Sequence, residues 1–104
     1  MEDILIANKK LNEWCGTEGI NYYEGDTALG FLFKYAVPKL NPYGLLGIEF
    51  HNSVIDKVLT PDEVWGFECH IKLEKYILDR FDGQAETPAL ALFGAICGLA
   101  EGGI

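Results

Sequence analysis

The side chains best able to bind a metal in this sequence belong to two histidines and three cysteines, which are Cys15, His51, Cys69, His70 and Cys97. A zinc site needs about four ligands that converge, usually supplied by closely spaced pairs. Cys69 and His70 are adjacent, but in an alternating segment their side chains point to opposite faces of a strand. We therefore expect no metal site and no cofactor, and we expect Cys69 to face the core.

Nucleophilic and phosphate chemistry has little support in the residue pattern. Ser53 is the only serine, and it lies outside the Gly-x-Ser-x-Gly pattern of a nucleophile elbow. The stretch Gly16-Thr17-Glu18-Gly19 lacks the lysine of a phosphate-binding loop, and its glutamate would repel a phosphate. The carboxylates Asp62-Glu63 stand at the start of a segment, where they favour a helix terminus or solvate a turn. The sequence thus predicts a protein without enzymatic activity.

The composition indicates one folded domain. The chain has 104 residues, of which 49% are hydrophobic, so it can form one core but is too short for two. Sixteen acidic and eight basic residues give a formal net charge of −8. This charge disfavours binding to nucleic acid or to an anionic membrane, because both need a basic surface. We expect a single domain over residues 1–104, with neither nucleic acid nor membrane as its partner.

The cysteines and the N-terminus favour the cytoplasm as the compartment. Three cysteines cannot all pair within one chain, and free thiols are typical of a reducing compartment. The chain begins Met1-Glu2-Asp3, which is acidic where a secretory signal carries positive charge. The longest apolar run, from Pro88 to Ala100, is shorter than the ~20 residues that a membrane-spanning helix needs.

A first helix is predicted from Asp3 to about Trp14, because the apolar residues recur at helical spacing and the charged residues take the other side. Gly16 follows as a typical residue after a helix C-terminus. The glycine-rich stretch from Cys15 to Gly25 then predicts a loop.

A second helix is predicted to begin at Asp26 or Thr27, whose side chain can accept a hydrogen bond from the first turn. Pro38 disfavours helical geometry at the preceding residue, so the helix should stop or kink at Val37. The sequence Asn41-Pro42-Tyr43-Gly44 predicts a turn, because proline presets one dihedral angle and glycine accepts a positive one.

The middle of the chain predicts an antiparallel sheet. Polar and apolar residues alternate from Leu45 to His51, which predicts a strand followed by a turn at Asn52-Ser53. The short stretch from Val54 to Leu59 fits either a second strand or the start of a connection.

The alternation from Trp65 to Leu73 predicts the clearest strand. It outweighs the helix-like start at Thr60-Pro61-Asp62-Glu63, which we interpret as a turn. A further strand is expected from Tyr76 to Phe81, closed by a turn at Asp82-Gly83.

The C-terminal segment predicts a helix that runs from Thr87, as the cap, and Pro88, at the first position, to Glu101. Gly94 and Gly98 lie four residues apart on one side of it. Because a glycine inside a helix costs roughly 1 kcal/mol relative to alanine, we expect these two glycines to pack closely on the sheet or on a second copy of the chain.

The order of the elements predicts an α+β fold, in which a small antiparallel β-sheet is sandwiched by helices in α/β/α layers. The helix ending in Trp14, the helix opening Tyr23-Glu24-Gly25-Asp26-Thr27-Ala28-Leu29-Gly30-Phe31 and the start Ala85-Glu86-Thr87-Pro88-Ala89-Leu90-Ala91-Leu92 resemble the phage ABA sandwich domain family. The resemblance implies a layered phage or prophage protein and brings no catalytic residues.

This sequence departs from the family pattern at three positions. They are Gly25 in place of a hydroxyl cap, Phe31 in place of tryptophan and Phe93 in place of cysteine. The matching motifs are mostly helix starts and core positions, so they indicate a fold and do not indicate a functional site.

The remaining functional candidates are Tyr22 and Tyr23, which lie in the glycine-rich loop and are of the amphipathic type that protein interfaces favour. The structural alternative is that one packs over the helix end and the other is merely exposed. We predict a non-enzymatic accessory protein of a phage or prophage. It would act in the bacterial cytoplasm through contacts with an unknown host or phage protein, for example as an acidic inhibitor.

Two further predictions concern the function and the oligomeric state. The alternative function is a small-molecule or nucleotide-binding protein with a pocket between sheet and helices. A homodimer is also expected, because Gly94 and Gly98 offer a close contact and the edge of the sheet needs cover.

Overall fold

A computed structural model of the chain describes residues 4–56, 64–74 and 81–101. These residues form helices and a three-stranded antiparallel sheet in the order β1-β2-β3, which confirms the α+β class. The elements are α1 (Ile4–Cys15), α2 (Ala28–Phe31), a π-helical turn (Leu32–Ala36), a 3-10 helix (Val37–Tyr43), β1 (Leu45–Asp56), β2 (Val64–Leu73), β3 (Phe81–Ala85) and α3 (Pro88–Glu101).

Helix α1 ends at Gly16 as predicted. This glycine has a φ of 73°, and its amide donates to the carbonyl of Glu13 over 3.3 Å. The next amide, of Thr17, donates to the carbonyl of Asn12 over 2.9 Å. Together the two bonds form a Schellman motif, which satisfies carbonyls that the helix end leaves unpaired.

Pro38 divides the second predicted helix into three short pieces. A proline lacks the N–H of a helical bond, and its ring clashes with the carbonyl four residues earlier. The backbone therefore widens into the π-helical turn before Val37 and tightens into the 3-10 helix from Val37 onward. This change confirms the predicted break at Val37, whereas Thr27 stands at the N-cap of α2 without the expected side-chain bond.

The 3-10 helix closes in the predicted turn. The amide of Gly44 donates to the carbonyl of Asn41 over 3.0 Å, and Gly44 ends the helix with a φ of 74°, the left-handed conformation that glycine adopts readily after a helix C-terminus. The chain leaves this turn directly into β1.

Strand β1 is longer than predicted, and the turn predicted at Asn52-Ser53 is wrong. In the ladder with β2, Asn52 lies opposite Phe67 and Ser53 lies opposite Gly66. Pairing with a long neighbouring strand outweighs the local turn preference of short polar residues. The predicted turn at 60–63 and part of the stretch from 54 to 59 lie outside the described residues.

Strand β2 confirms the alternating pattern, and it lies in the centre of the sheet. The side chains of Cys69, Ile71 and Leu73 are buried on one face, as expected for Cys69. The polar residues between them lie on the other face of the strand.

Strand β3 contains Gly83, so the turn predicted at Asp82-Gly83 is wrong. A Cβ atom at Gly83 would overlap the carbonyl oxygen of Ala91 and lie 2.7 Å from the amide nitrogen of Ala95. Glycine is needed here because the backbone of α3 lies directly on the strand. Of the strand predicted from Tyr76, residues 76–80 lie outside the described residues.

Helix α3 is the centre of the packing. It starts as predicted, with the amide of Leu90 donating to Oγ1 of Thr87 over 3.2 Å and Pro88 at the first position. It lies on β2 and β3, and its other sides contact α1, α2 and the π-helical turn. The prediction places helices on both faces of the sheet. In the described residues, α3 covers the apolar face.

The tight contact predicted for the glycines of α3 is found at Gly83 instead. A Cβ at Gly94 would lie 3.9 Å from the Cα of Gly83, an ordinary distance, and one at Gly98 would meet nothing within 4 Å. The spacing of the two helix glycines therefore gives no structural support to the expected homodimer.

We expect the substitution Gly83→Ala to lower the free energy of unfolding by about 3 kcal/mol or more, the upper part of the range for overpacking, because backbone atoms cannot move aside. Gly98→Ala is the control, and it should raise this free energy by about 0.5 to 1 kcal/mol, since it removes a glycine from an open helix position. Urea unfolding measures both changes. Similar effects of the two substitutions would contradict the close approach of α3 to β3.

Candidate functional site

The candidate site is a groove where the start of α1, the loop before α2 and the start of α3 meet. We call it the acidic groove, and its volume is about 650 Å³. Three carboxylates line it, and none of the described residues along it is a lysine or arginine. The carboxylates are those of Glu24, Asp26 and Glu86, and the apolar lining comes from Ile4, Tyr23, Leu29, Pro88, Ala89 and Leu90.

Tyr23 forms one wall of the acidic groove. Its ring is half-buried and lies 5.8 Å from the ring of Phe93 on α3, at an angle of 55°. Such tilted aromatic pairs are favourable and hold the ring in place. The structure thus places one of the two predicted partner-binding residues on an accessible surface, and its binding of a partner stays a prediction.

Tyr22 lies in the interior of the molecule. Its side chain is 0% exposed and belongs to the hydrophobic core, and its hydroxyl lies 2.6 Å from Oγ1 of Thr17. In this conformation Tyr22 offers no surface to a partner, which agrees with the structural alternative for one of the two tyrosines.

Two asparagines of α1 hold the loop that carries Tyr23. Asn12 donates from Nδ2 to the carbonyl of Ile20 over 2.9 Å, and its Oδ1 accepts the amide of Ile20 over 3.1 Å. Asn8 donates to the same carbonyl over 2.8 Å and accepts the amide of Tyr22 over 3.0 Å. We call these bonds the asparagine clamp, and they fix the path of the loop toward the acidic groove.

Sequence reasoning missed the asparagine clamp, although a signal for it exists. Asn8 and Asn12 stand four residues apart, on one side of the predicted helix. Asparagine is a poor residue for a helix interior, because its side chain competes for backbone hydrogen bonds. Two of them on one side therefore indicate that backbone from elsewhere lies against that side.

Burial makes two groups behind the loop harder to ionise. It raises the pKa of the Tyr22 hydroxyl to about 12, and it also raises the pKa of the Cys15 thiol. The reactive form of a cysteine is the thiolate, so a raised pKa makes Cys15 a poor nucleophile at neutral pH.

The solvent face of the sheet brings together the two histidines. His51 and His70 lie on neighbouring strands with ring centres 5.5 Å apart. Cys69, which is adjacent to His70 in the chain, is buried on the opposite face. Each imidazole has a glutamate of its own strand within 3.4 Å, Glu49 for His51 and Glu68 for His70.

The same face carries an ion pair between Lys72 and Glu49. Lys72 donates to Glu49 over 2.8 Å, and this bond, followed by that of His51, lowers the pKa of the Glu49 carboxyl. Within residues 4–56, 64–74 and 81–101, no three histidine, cysteine or acidic side chains are placed to hold a metal ion. The alternating pattern of each strand predicts that its histidine lies on the polar face. The sequence does not give the register between the two strands, which brings the two rings together.

Two further clefts run along α1. One lies between α1 and α3 beside Trp14 and Cys97, and the other lies between α1 and the loop that begins at Gly16. The pocket predicted between sheet and helices has no room where β3 meets α3, because Gly83 and Ala91 are in backbone contact there.

Searches of protein families, curated proteins and solved structures found no match to this chain. The resemblance to the phage ABA sandwich domain family therefore stays a prediction that rests on the motifs given above. In the described part of the chain, no helix has both the length and the apolar character needed to cross a membrane.

We expect Asn12→Ala to lower the free energy of unfolding by about 2 to 3 kcal/mol, because it leaves the partly buried amide of Ile20 without its acceptor, whereas the Ile20 carbonyl keeps its bond from Asn8. The control is Asn21→Ala, in the same loop, which removes exposed bonds to the amides of Tyr23 and Glu24 and should cost about 0.5 kcal/mol. Urea unfolding and hydrogen exchange at the Ile20 amide measure the effects. Unchanged protection of that amide in the Asn12 variant would contradict the clamp.

The raised pKa of Tyr22 predicts a loss of stability at high pH. Its proton leaves at the ordinary pKa of 10.0 in the unfolded chain and at about 12 in the folded chain, so the folded chain holds the proton more tightly. The contribution that this proton makes to the free energy of unfolding is fully present below pH 10 and is lost as the pH rises through 12. Phenolate absorbance should show a late ionisation step that is absent in Tyr22→Phe, and a step that persists in this variant would assign it to another tyrosine.

Proposed function

We propose that this protein is a non-enzymatic interaction module, and that its acidic groove binds a basic segment of a partner protein that carries an apolar anchor residue. The observation that supports this is the combination of an apolar lining with three carboxylates and no described cation. An apolar surface with a polar rim is the usual composition of a protein-binding site.

The charge of the whole chain supports a basic partner. A formal net charge of −8 attracts a positively charged protein at a distance, and the three groove carboxylates then select its orientation. Both effects weaken as salt increases, because dissolved ions screen exposed charges beyond ~8 Å at physiological ionic strength. The complex should therefore form more slowly and bind less tightly at high salt.

Tyr23 is the residue that we propose as the anchor point for the partner. Tyrosine is enriched among the side chains that contribute most to protein binding, because it offers a large rigid surface and a polar end. The contact with Phe93 holds its ring in position before a partner arrives, so little entropy is lost on binding.

The biological setting that we propose is the cytoplasm of a bacterial cell, with a host or phage protein as partner. It rests on the resemblance to the phage ABA sandwich domain family and on the odd number of cysteines, which is typical of a reducing compartment. An acidic protein that occupies the basic surface of a host protein would act as its inhibitor. The small-molecule alternative has less support, since the described clefts lie among helices and loops.

The test is a set of synthetic peptides of equal length. One carries lysines and arginines around a single leucine, a second has the leucine replaced by serine, and a third has the basic residues replaced by glutamate. We expect the first to bind with an affinity that falls with salt, as measured by fluorescence anisotropy. Amide shifts in the NMR spectrum should concentrate at Tyr23, Leu29 and Leu90, which line the groove.

Two double variants distinguish the effect of the groove carboxylates on binding from the effect of the net charge of the chain. Glu24→Gln with Glu86→Gln removes two groove carboxylates, and Glu13→Gln with Glu18→Gln removes two exposed carboxylates elsewhere. We expect the first pair to weaken peptide binding about tenfold, which corresponds to ~1.4 kcal/mol, and the second to weaken it much less. Equal losses, or equal binding of the leucine and serine peptides, would contradict the proposed site.

A further inference from the structure

An exposed phenylalanine and an exposed lysine lie on the helical segment that follows the acidic groove. Leu29 lines the groove, and Phe33 follows it by one helical turn, so the two lie on the same side of this helical segment. The Phe33 side chain is 44% exposed, which is high for so large an apolar group. Lys34 comes next in the chain and is also exposed.

Acidic residues precede α2 in the chain, and lysines follow it. The stretch from Thr27 to Ile48 contains two lysines and no acidic residue, whereas the loop before it supplies Glu24 and Asp26 to the groove. The ammonium of Lys34 lies 5.1 Å from the centre of the Tyr35 ring, a favourable contact that holds the charge close to the helix surface. An acidic groove and an exposed phenylalanine followed by a lysine thus lie side by side.

We infer that the segment that fills the acidic groove is supplied by a second copy of this chain. In a two-fold dimer the same patch of both copies forms the interface. A groove and an exposed side chain that lie side by side in this patch can therefore contact each other at two equivalent places. Phe33 of each copy would enter the groove of the other, and Lys34 would face Glu24. The inference rests on the proposed function, because it uses the same groove.

The like charges of the two copies oppose this association at long range. Each copy carries a formal charge of −8, and this repulsion is screened beyond ~8 Å at physiological ionic strength. The local pairs of lysine with carboxylate and of phenylalanine with the apolar lining then act at contact distance. The experiments therefore belong at physiological salt.

Sedimentation equilibrium of the complete chain over a wide concentration range tests the inference. We expect a reversible dimer that Phe33→Ser weakens at least tenfold. The control is Leu46→Ser, because Leu46 is 62% exposed and lies outside the groove. A dimer that both substitutions weaken equally, or that neither weakens, would overturn the inference, since the contact would then lie elsewhere.

An exchange of charges tests the proposed pair directly. Lys34→Glu alone and Glu24→Lys alone should each weaken the dimer at least tenfold, and the combined variant should restore most of the affinity. Circular dichroism shows that each variant is folded before it is used. No restoration in the combined variant would overturn the pairing of Lys34 with Glu24.

The outcomes also separate this inference from the proposed function. A chain that stays monomeric at every concentration but binds the leucine peptide in its groove overturns the dimer and retains the interaction module. A chain that neither dimerises nor binds the peptide overturns both. Competition between peptide and dimer, with the peptide producing monomers, supports both at once.

Discussion

The structure depends on the direct contact between the backbones of α3 and β3. Gly83 has no side chain, so the carbonyl of Ala91 and the amide of Ala95 lie against the strand itself. This contact brings α3 close enough to the sheet that its remaining sides are free to pack on α1, α2 and the π-helical turn. The start of α3 then lies beside the loop of Tyr23, and the acidic groove forms between them. A larger residue in the strand would displace the helix and with it one wall of the groove.

Two different kinds of interaction build that groove. The wall on α3 is positioned by apolar packing, since Phe93 is buried and contacts Tyr23. The loop opposite is positioned by the hydrogen bonds of Asn8 and Asn12, which are polar side chains placed where a helix normally carries apolar ones. Hydrogen bonds of fixed geometry define the path of a loop more uniquely than apolar contacts do. The combination explains how a loop rich in glycine presents a defined surface.

The parts of the fold that could be predicted from sequence are those with a local cause. The end of α1 at Gly16, the break before Pro38 and the start of α3 at Thr87 each follow from the chemistry of a few neighbouring residues. The strand character of residues 65–73 follows from strict alternation. The mistakes concern Asn52-Ser53 and Asp82-Gly83, whose short-range preference is for a turn. Both are held in strands by partners that are distant in the chain, and a single sequence does not show those partners.

In the candidate site too, some features follow from the local sequence and others depend on residues that are distant in the chain. The sequence singled out the loop and its two tyrosines, but whether Tyr22 or Tyr23 faces outward depends on the asparagine clamp. That clamp has a consequence for how such a protein can change over generations. Its bonds from α1 into the loop reach main-chain atoms of Ile20 and Tyr22, so they are indifferent to the side chains at positions 23, 24 and 26. A lineage can therefore exchange those side chains, and with them the charge and shape of the acidic groove, while the loop keeps its path.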